Sequence, residues 1–174
     1  EKSGIRIKNT KEINLSWSIY DISRNLKQYT NGDFILIFPF CSKKHKQKKW
    51  PYFSELIVRI KKDYKNKYPI LIAPGPEEIK AAKKLNAKIV LDDDKPVKIN
   101  FLISLISSAK YIISNDTGPA HICSHLNKNG LALFGSHTTA KKVNIGSANF
   151  KTITVDLLSD LKVDDVINSI KKNL

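Results

Sequence analysis

At 174 residues the chain can build one domain with a full hydrophobic core, and its 41% hydrophobic and 26% charged content is ordinary for a globular protein. No run of 18 apolar residues is present to span a bilayer as a helix, and no apolar stretch follows the charged start as in a secretory signal. The net charge of +14 favours anionic partners, yet all but three of the 30 basic residues are lysine. The exceptions are Arg6, Arg24 and Arg59; few arginines argue against a dedicated nucleic-acid surface, because the guanidinium is the group that reads phosphates and bases bidentately.

In chain order, residues 1–14 are polar and read as extended. From Ser16 to about Tyr29, Trp17, Ile19, Tyr20, Ile22 and Leu26 predict an amphipathic helix closed by Asn31-Gly32. Phe34–Phe38 is a short continuous apolar run, the pattern of a strand buried on both faces. A lysine-rich loop leads to Pro51, a favoured first-turn residue, and to a helix with Phe53, Leu56, Ile57 and Ile60 at helical spacing. Strands follow at 69–73, 88–91, 111–114, 131–134 and 152–155. Helices are predicted at 77–85, 100–108, 118–126 and 163–170.

Strands alternating with helices predict an α/β fold with a parallel sheet covered on both faces, a doubly wound Rossmann-like domain. The expected division is an extended segment and interdomain helix over 1–30 and the Rossmann-like domain over 31–174. The chain starts at Glu1 and contains no methionine, which reads as part of a longer protein whose N-terminal portion lies elsewhere. Cys41 and Cys123 are too few for a disulfide framework or a four-ligand zinc site, and a reducing cytoplasm fits them.

In doubly wound sheets ligands bind outside the carboxyl ends of the strands, and three strand-exit loops carry unusual chemistry. The first, Pro39 to Pro51, places the Ser42 hydroxyl and several ammonium groups between a strand end and a helix start, where a phosphate would meet positive charge and free amides. As a bland alternative it is a solvated basic loop. The second, Ala73 to Glu78, makes a tight turn. Its Glu77 and Glu78 either complement the helix dipole or accept hydrogen bonds from ribose hydroxyls. The third, Ser114 to His121, has Asp116 or Thr117 as a helix cap and Gly118 where a ligand could approach the backbone; His121, four residues after Thr117, shares its helix face. Asp92-Asp93-Asp94 could suit magnesium, but the run before Lys95-Pro96 reads as a solvated turn, and His45, His125 and His137 have no shared metal-ligand spacing.

Asn115-Asp116-Thr117-Gly118-Pro119-Ala120-His121 followed by Leu131-Ala132-Leu133-Phe134-Gly135 resembles the signature of glycosyltransferase family 9, the ADP-heptose:lipopolysaccharide heptosyltransferases. Lys48-Lys49-Trp50-Pro51 is similar to that family's Lys-x-Trp-Pro loop, and Gly75-Pro76-Glu77-Glu78 to its Gly-Pro-x-Glu turn. The chain departs from the pattern at Phe40-Cys41, where Gly-Ala is common, and at Ser136-His137-Thr138-Thr139, where a Pro-Thr-Asp-Pro-like run is usual.

The resemblance implies the C-terminal half of a GT-B enzyme, which holds an ADP-heptose-like donor for inverting transfer to the lipid A–core acceptor of lipopolysaccharide or a related envelope glycan. It implies Ser42 and Lys48 on the diphosphate, with Lys48 as the catalytic stabiliser of departing ADP. Glu78 would bind ribose, and Asp116, Thr117 and Gly118 would hold phosphates and sugar with His121 nearby. No cofactor or metal is implied. The family's acidic base comes from the N-terminal domain and is unmatched here, so this portion is expected to bind donor without catalysing alone. The implied setting is the cytoplasm of a bacterium, with the basic face resting on the anionic inner face of the inner membrane. The competing expectation is a basic anion- or nucleic-acid-binding module without catalysis, supported by the +14 charge and the Lys43–Lys49 cluster.

Overall fold

The structure, a computed structural model, describes residues 14–171 and 174. Among these residues six strands form one parallel sheet: β1 (Ile35–Phe38), β2 (Ile70–Ile72), β3 (Lys88–Ile89), β4 (Tyr111–Asn115), β5 (Gly130–Phe134) and β6 (Phe150–Thr154). Their spatial order is β3-β2-β1-β4-β5-β6, the Rossmann arrangement, in which the winding reverses between β1 and β4. The helices are α1 (Ser23–Leu26), α2 (Phe53–Asp63), α3 (Ile79–Ala82), α4 (Ile99–Ser108), α5 (Gly118–His125) and α6 (Val163–Ile170).

The period of two along each strand explains why the central ones are apolar throughout. On β1, Ile35 and Ile37 enter a core with Phe53, Leu56, Ile57 and Ile60 of α2 and Val166, Ile167 and Ile170 of α6. The alternate residues Leu36 and Phe38 enter a second core with Leu105 and Ile106 of α4 and Ala120 and Cys123 of α5. β5 repeats the division, with Leu131 and Leu133 in the first core and Ala132 and Phe134 in the second. Each such burial is worth roughly 1.5–3 kcal/mol, so both faces of the sheet are strongly specified. Gly130 leaves no room for a side chain: a Cβ there would lie 2.6 Å from the Ile112 carbonyl oxygen and 2.6 Å from the Phe150 ring.

The segment before the sheet differs from the predicted helix over 16–29. It is a 3₁₀ turn at Ser16–Ser18, then the single turn of α1. Asp21 Oδ1 accepts the Ser23 amide at 2.8 Å, and the Tyr20 amide donates to Ser104 Oγ at 3.0 Å; both bonds take amides that a continuous helix would have used. Ile22 is buried while Trp17 stays 82% exposed, so only the second half of the expected apolar stripe reaches the core. The regular part of the helix predicted at 77–85 is only Ile79–Ala82, because 3₁₀-type bonds from Lys84 to Ala81 and from Leu85 to Ala82 tighten its end. Residues 1–13, expected to be extended, lie outside the described residues.

Candidate functional site

The parallel pairing sets the carboxyl ends of β1 and β4 side by side, with Phe38 opposite Ser114, and those of β4 and β5, with Asn115 opposite Leu133. The three chemically unusual loops therefore converge at one end of the sheet. Between them lies a cleft of about 490 Å³, lined by Ser42 from the β1 exit, Gly75 and Glu78 from the β2 exit, and Thr117 and Gly118 at the start of α5. The cleft stands at the point where the winding reverses, the place doubly wound sheets use for ligands.

Beside it is a charged cluster around Asp116, which is 3% exposed. Lys48 Nζ donates to Asp116 Oδ2 at 2.7 Å, with 25% of the lysine side chain exposed. His137 Nε2 lies 3.1 Å from the same oxygen. A carboxylate oxygen accepts, so the imidazole Nε2 donates in that contact. Trp50 anchors the loop that carries Lys48. Its amide donates to Asn115 Oδ1 at 3.1 Å, its indole Nε1 donates to the Leu161 carbonyl at 2.9 Å, and the ring is fully buried edge-on against Phe53. The Lys-x-Trp-Pro sequence thus works as a buried bolt with a cation two residues away.

The expected residues fall as follows. Ser42 lies at the cleft wall, where its hydroxyl oxygen accepts the Lys44 amide at 3.4 Å and opens a 3₁₀ segment over Lys43–Lys48. Glu78 borders the cleft, and its Oε2 accepts the Gly75 amide at 2.8 Å, folding the turn against itself. Thr117 precedes α5, with Pro119 in the first turn, and Gly118 is exposed with open space at its missing Cβ, so a ligand can come against the backbone there. His121 is half-buried on α5. Burial pushes its imidazole below the usual histidine range, Asp116 opposes that, and His125 and Lys48 add to it. Lys48 and Asp116 sit beside the cleft and pair with one another, so an anion that takes the Lys48 ammonium competes with the carboxylate for it.

Two participants escaped the sequence reading. His137 leaves the end of β5, and Asn115, named only within the motif, is fully buried and holds the Trp50 loop. The available signal for both was position at a strand exit. Asp92-Asp93-Asp94 forms an exposed turn in which the Asp92 and Lys95 backbones pair at 2.9 Å. Among the described residues no group of three His, Cys, Asp or Glu is placed to hold a metal ion. Likewise, no helix among the described residues is long and apolar enough to cross a membrane. Cys123 is buried in the core, and Cys41 is a loop thiol directed at the His45 carbonyl at 3.3 Å.

The sequence model of glycosyltransferase family 9 (heptosyltransferase) matches residues 1–156. No curated protein matches the chain by sequence. Among solved structures, the E. coli ADP-heptose LPS heptosyltransferase II superposes with a TM-score of 0.71 at 16% identity, over 92% of this chain and 52% of that one. The E. coli heptosyltransferase WaaC with ADP-2-deoxy-2-fluoro heptose gives a TM-score of 0.69 at 20% identity, over 90% of this chain and 49% of that one. The UDP-GlcNAc 2-epimerase of Methanocaldococcus jannaschii, in complex with UDP-GlcNAc and UDP, gives 0.60 at 17% identity, over 89% and 42%. At these identities the superpositions establish the fold, and this chain spans about half the length of the heptosyltransferases it resembles.

Proposed function

The chain belongs to glycosyltransferase family 9, the heptosyltransferases, and on that premise we propose that it is the donor-binding half of a glycosyltransferase that holds an ADP-sugar of the heptose type. The observation that carries this reading is the Lys48–Asp116 pair, 2.7 Å long, beside the cleft at the sheet's reversal point. A diphosphate entering there meets the Lys48 ammonium, the Ser42 hydroxyl and the open backbone at Gly118. Glu78 takes the ribose. Asp116 and Thr117 complete the cradle for phosphates and sugar, with His121 beside them. As the sugar leaves, charge builds on the ADP oxygens, and Lys48 stabilises it.

In this proposal the sugar passes with inversion to a lipopolysaccharide core or related envelope glycan. A second, N-terminal domain supplies the acidic base, the segment over 1–30 leads into the domain over 31–174, and the two domains together make a GT-B enzyme. The acceptor is lipid-linked and phosphorylated, so the +14 chain works in the cytoplasm of a bacterium against the anionic inner face of its membrane. Vesicles containing acidic lipid should bind the chain at low salt and release it at high salt; equal binding at both would count against the membrane placement.

Calorimetric titration with ADP, UDP and an oligonucleotide tests the central reading. ADP should bind, and Lys48→Ala should weaken it by about 10- to 150-fold, the worth of a charge-assisted hydrogen bond of roughly 1.5–3 kcal/mol. UDP binding in preference to ADP would move the site towards the chemistry of the epimerase-like neighbours. The exposed Lys43, Lys44, Lys46 and Lys49 favour a second reading, a general anion-binding surface. Steeply salt-dependent oligonucleotide binding with no response to ADP would establish that one instead.

A further inference from the structure

The β1-exit loop and the β5-exit loop meet at Asp116, and they deliver two partners to one oxygen. Lys48 Nζ is 2.7 Å from Oδ2 and His137 Nε2 is 3.1 Å from it. One cation is enough to neutralise one carboxylate, and the imidazole adds a second donor, Nε2, to the same oxygen. The other ring nitrogen, Nδ1, is buried and has no hydrogen-bond partner among the described residues. A buried ring nitrogen left unpaired costs stability, and Nδ1 is the atom on which a ring that donates from Nε2 can take a proton. The His137 side chain is only 10% exposed, so this is a built position rather than a surface accident.

We propose that His137 is the reserve counter-group of Asp116: it holds the carboxylate, and takes up a proton at Nδ1, when an anionic ligand draws the Lys48 ammonium away. This rests on the reading of the cleft as a site for a nucleoside diphosphate. If Lys48 turned to the ligand with nothing in its place, a carboxylate that is 3% exposed would be left as an unpaired buried charge, a strongly unfavourable arrangement. The imidazole already lies at hydrogen-bonding distance, so no movement of the β5-exit loop is required. Anion binding at Lys48 and proton uptake at His137 thereby become linked.

The other charged groups around His137 do not supply the same relief. Lys46, Lys49 and Asp156 share its side of the loops around a second cleft of about 320 Å³, and His121 of α5 feels Asp116 from the helix side. None of these four makes a hydrogen bond to Asp116. His137 is a positioning residue in this scheme: it acts on the ligand only through Asp116 and Lys48.

The test is calorimetry of ADP binding near neutral pH in two buffers of different ionisation enthalpy, which counts protons taken up per ADP. The native chain is compared with His137→Gln, which keeps an amide donor for Asp116 but has no basic atom. The native chain should take up more protons than the variant, by up to one per ADP; equal uptake would overturn the proposal. A second measurement does not depend on ADP. The imidazole titration of His137, followed by ¹⁵N NMR in the native chain and in Lys48→Met, should move to higher pH when the lysine charge is gone. Superimposable titrations would overturn the linkage even if ADP binds. A native chain that ignores ADP but shows the shifted titration would refute the nucleotide reading while upholding the coupling of the three side chains.

Discussion

Trp50→Phe should destabilise the fold by about 2–4 kcal/mol although it replaces one aromatic with another. The indole is fully buried and its Nε1–H is held by the Leu161 carbonyl at 2.9 Å, across from the segment that leads into α6. Phenylalanine has no such donor, and a buried carbonyl left without its partner costs about 1–3 kcal/mol. Loss of the second ring opens a cavity of roughly 40 Å³, which at ~24 cal/mol per Å³ adds about 1 kcal/mol. The amide bond to Asn115 Oδ1 is a backbone bond and survives the change, so the loop should loosen rather than detach. Urea unfolding followed by far-UV circular dichroism reads the loss. With an m-value of about 2 kcal/mol/M the midpoint should fall by about 1–2 M. ADP affinity should fall with it, since Lys48 is carried two residues before the bolt. A midpoint unchanged within about 0.25 M would refute the claim that Trp50 fixes this loop to the α6 side of the sheet.

Gly130→Ala should cost at least about 1–3 kcal/mol, because the new methyl would overlap the Ile112 carbonyl and the Phe150 ring, each 2.6 Å from where it must sit; thermal unfolding checks this, and an unchanged midpoint would mean that β5 and β6 can part without loss. His121, held below the usual histidine range by burial, binds its proton more readily in the unfolded chain. Its contribution to stability is therefore present above the ordinary imidazole range and is lost as pH falls through that range towards the lower folded value. His121→Gln should lose less stability than the native chain between about pH 7.5 and pH 5.5 in urea titrations, and identical losses would show that His121 is not among the groups responsible.

Much of the fold was legible because burial on both faces leaves a simple mark. Phe34–Phe38 had no polar interruption and became β1 over Ile35–Phe38, and the helix predicted at 163–170 has the bounds of α6. The segment over 16–29 was not legible in the same way. Helical spacing was present, but the competing bonds at Asp21 and Ser104 depend on a turn and on a residue more than 80 positions away. For the site, the residues lying in strand-exit loops could be picked out, and the structure gathers Ser42, Glu78, Thr117 and Gly118 around one cleft with Lys48 and Asp116 beside it. His137 was passed over because its partnership with Asp116 is created by the lateral pairing of β4 and β5, and nothing in the spacing between residues 116 and 137 records which strands lie side by side.

Chemical-shift mapping of ADP on the ¹⁵N-labelled chain reports where the nucleotide lies as well as whether it binds. Saturable shifts should concentrate at Ser42, Glu78, Thr117 and Gly118, which line the cleft at the reversal point of the sheet, and at Lys48 and His121 around the neighbouring Asp116. Shifts confined to the exposed lysines of the β1-exit loop, or spread over the opposite edge of the sheet, would contradict a nucleotide-sugar site built from these three loops.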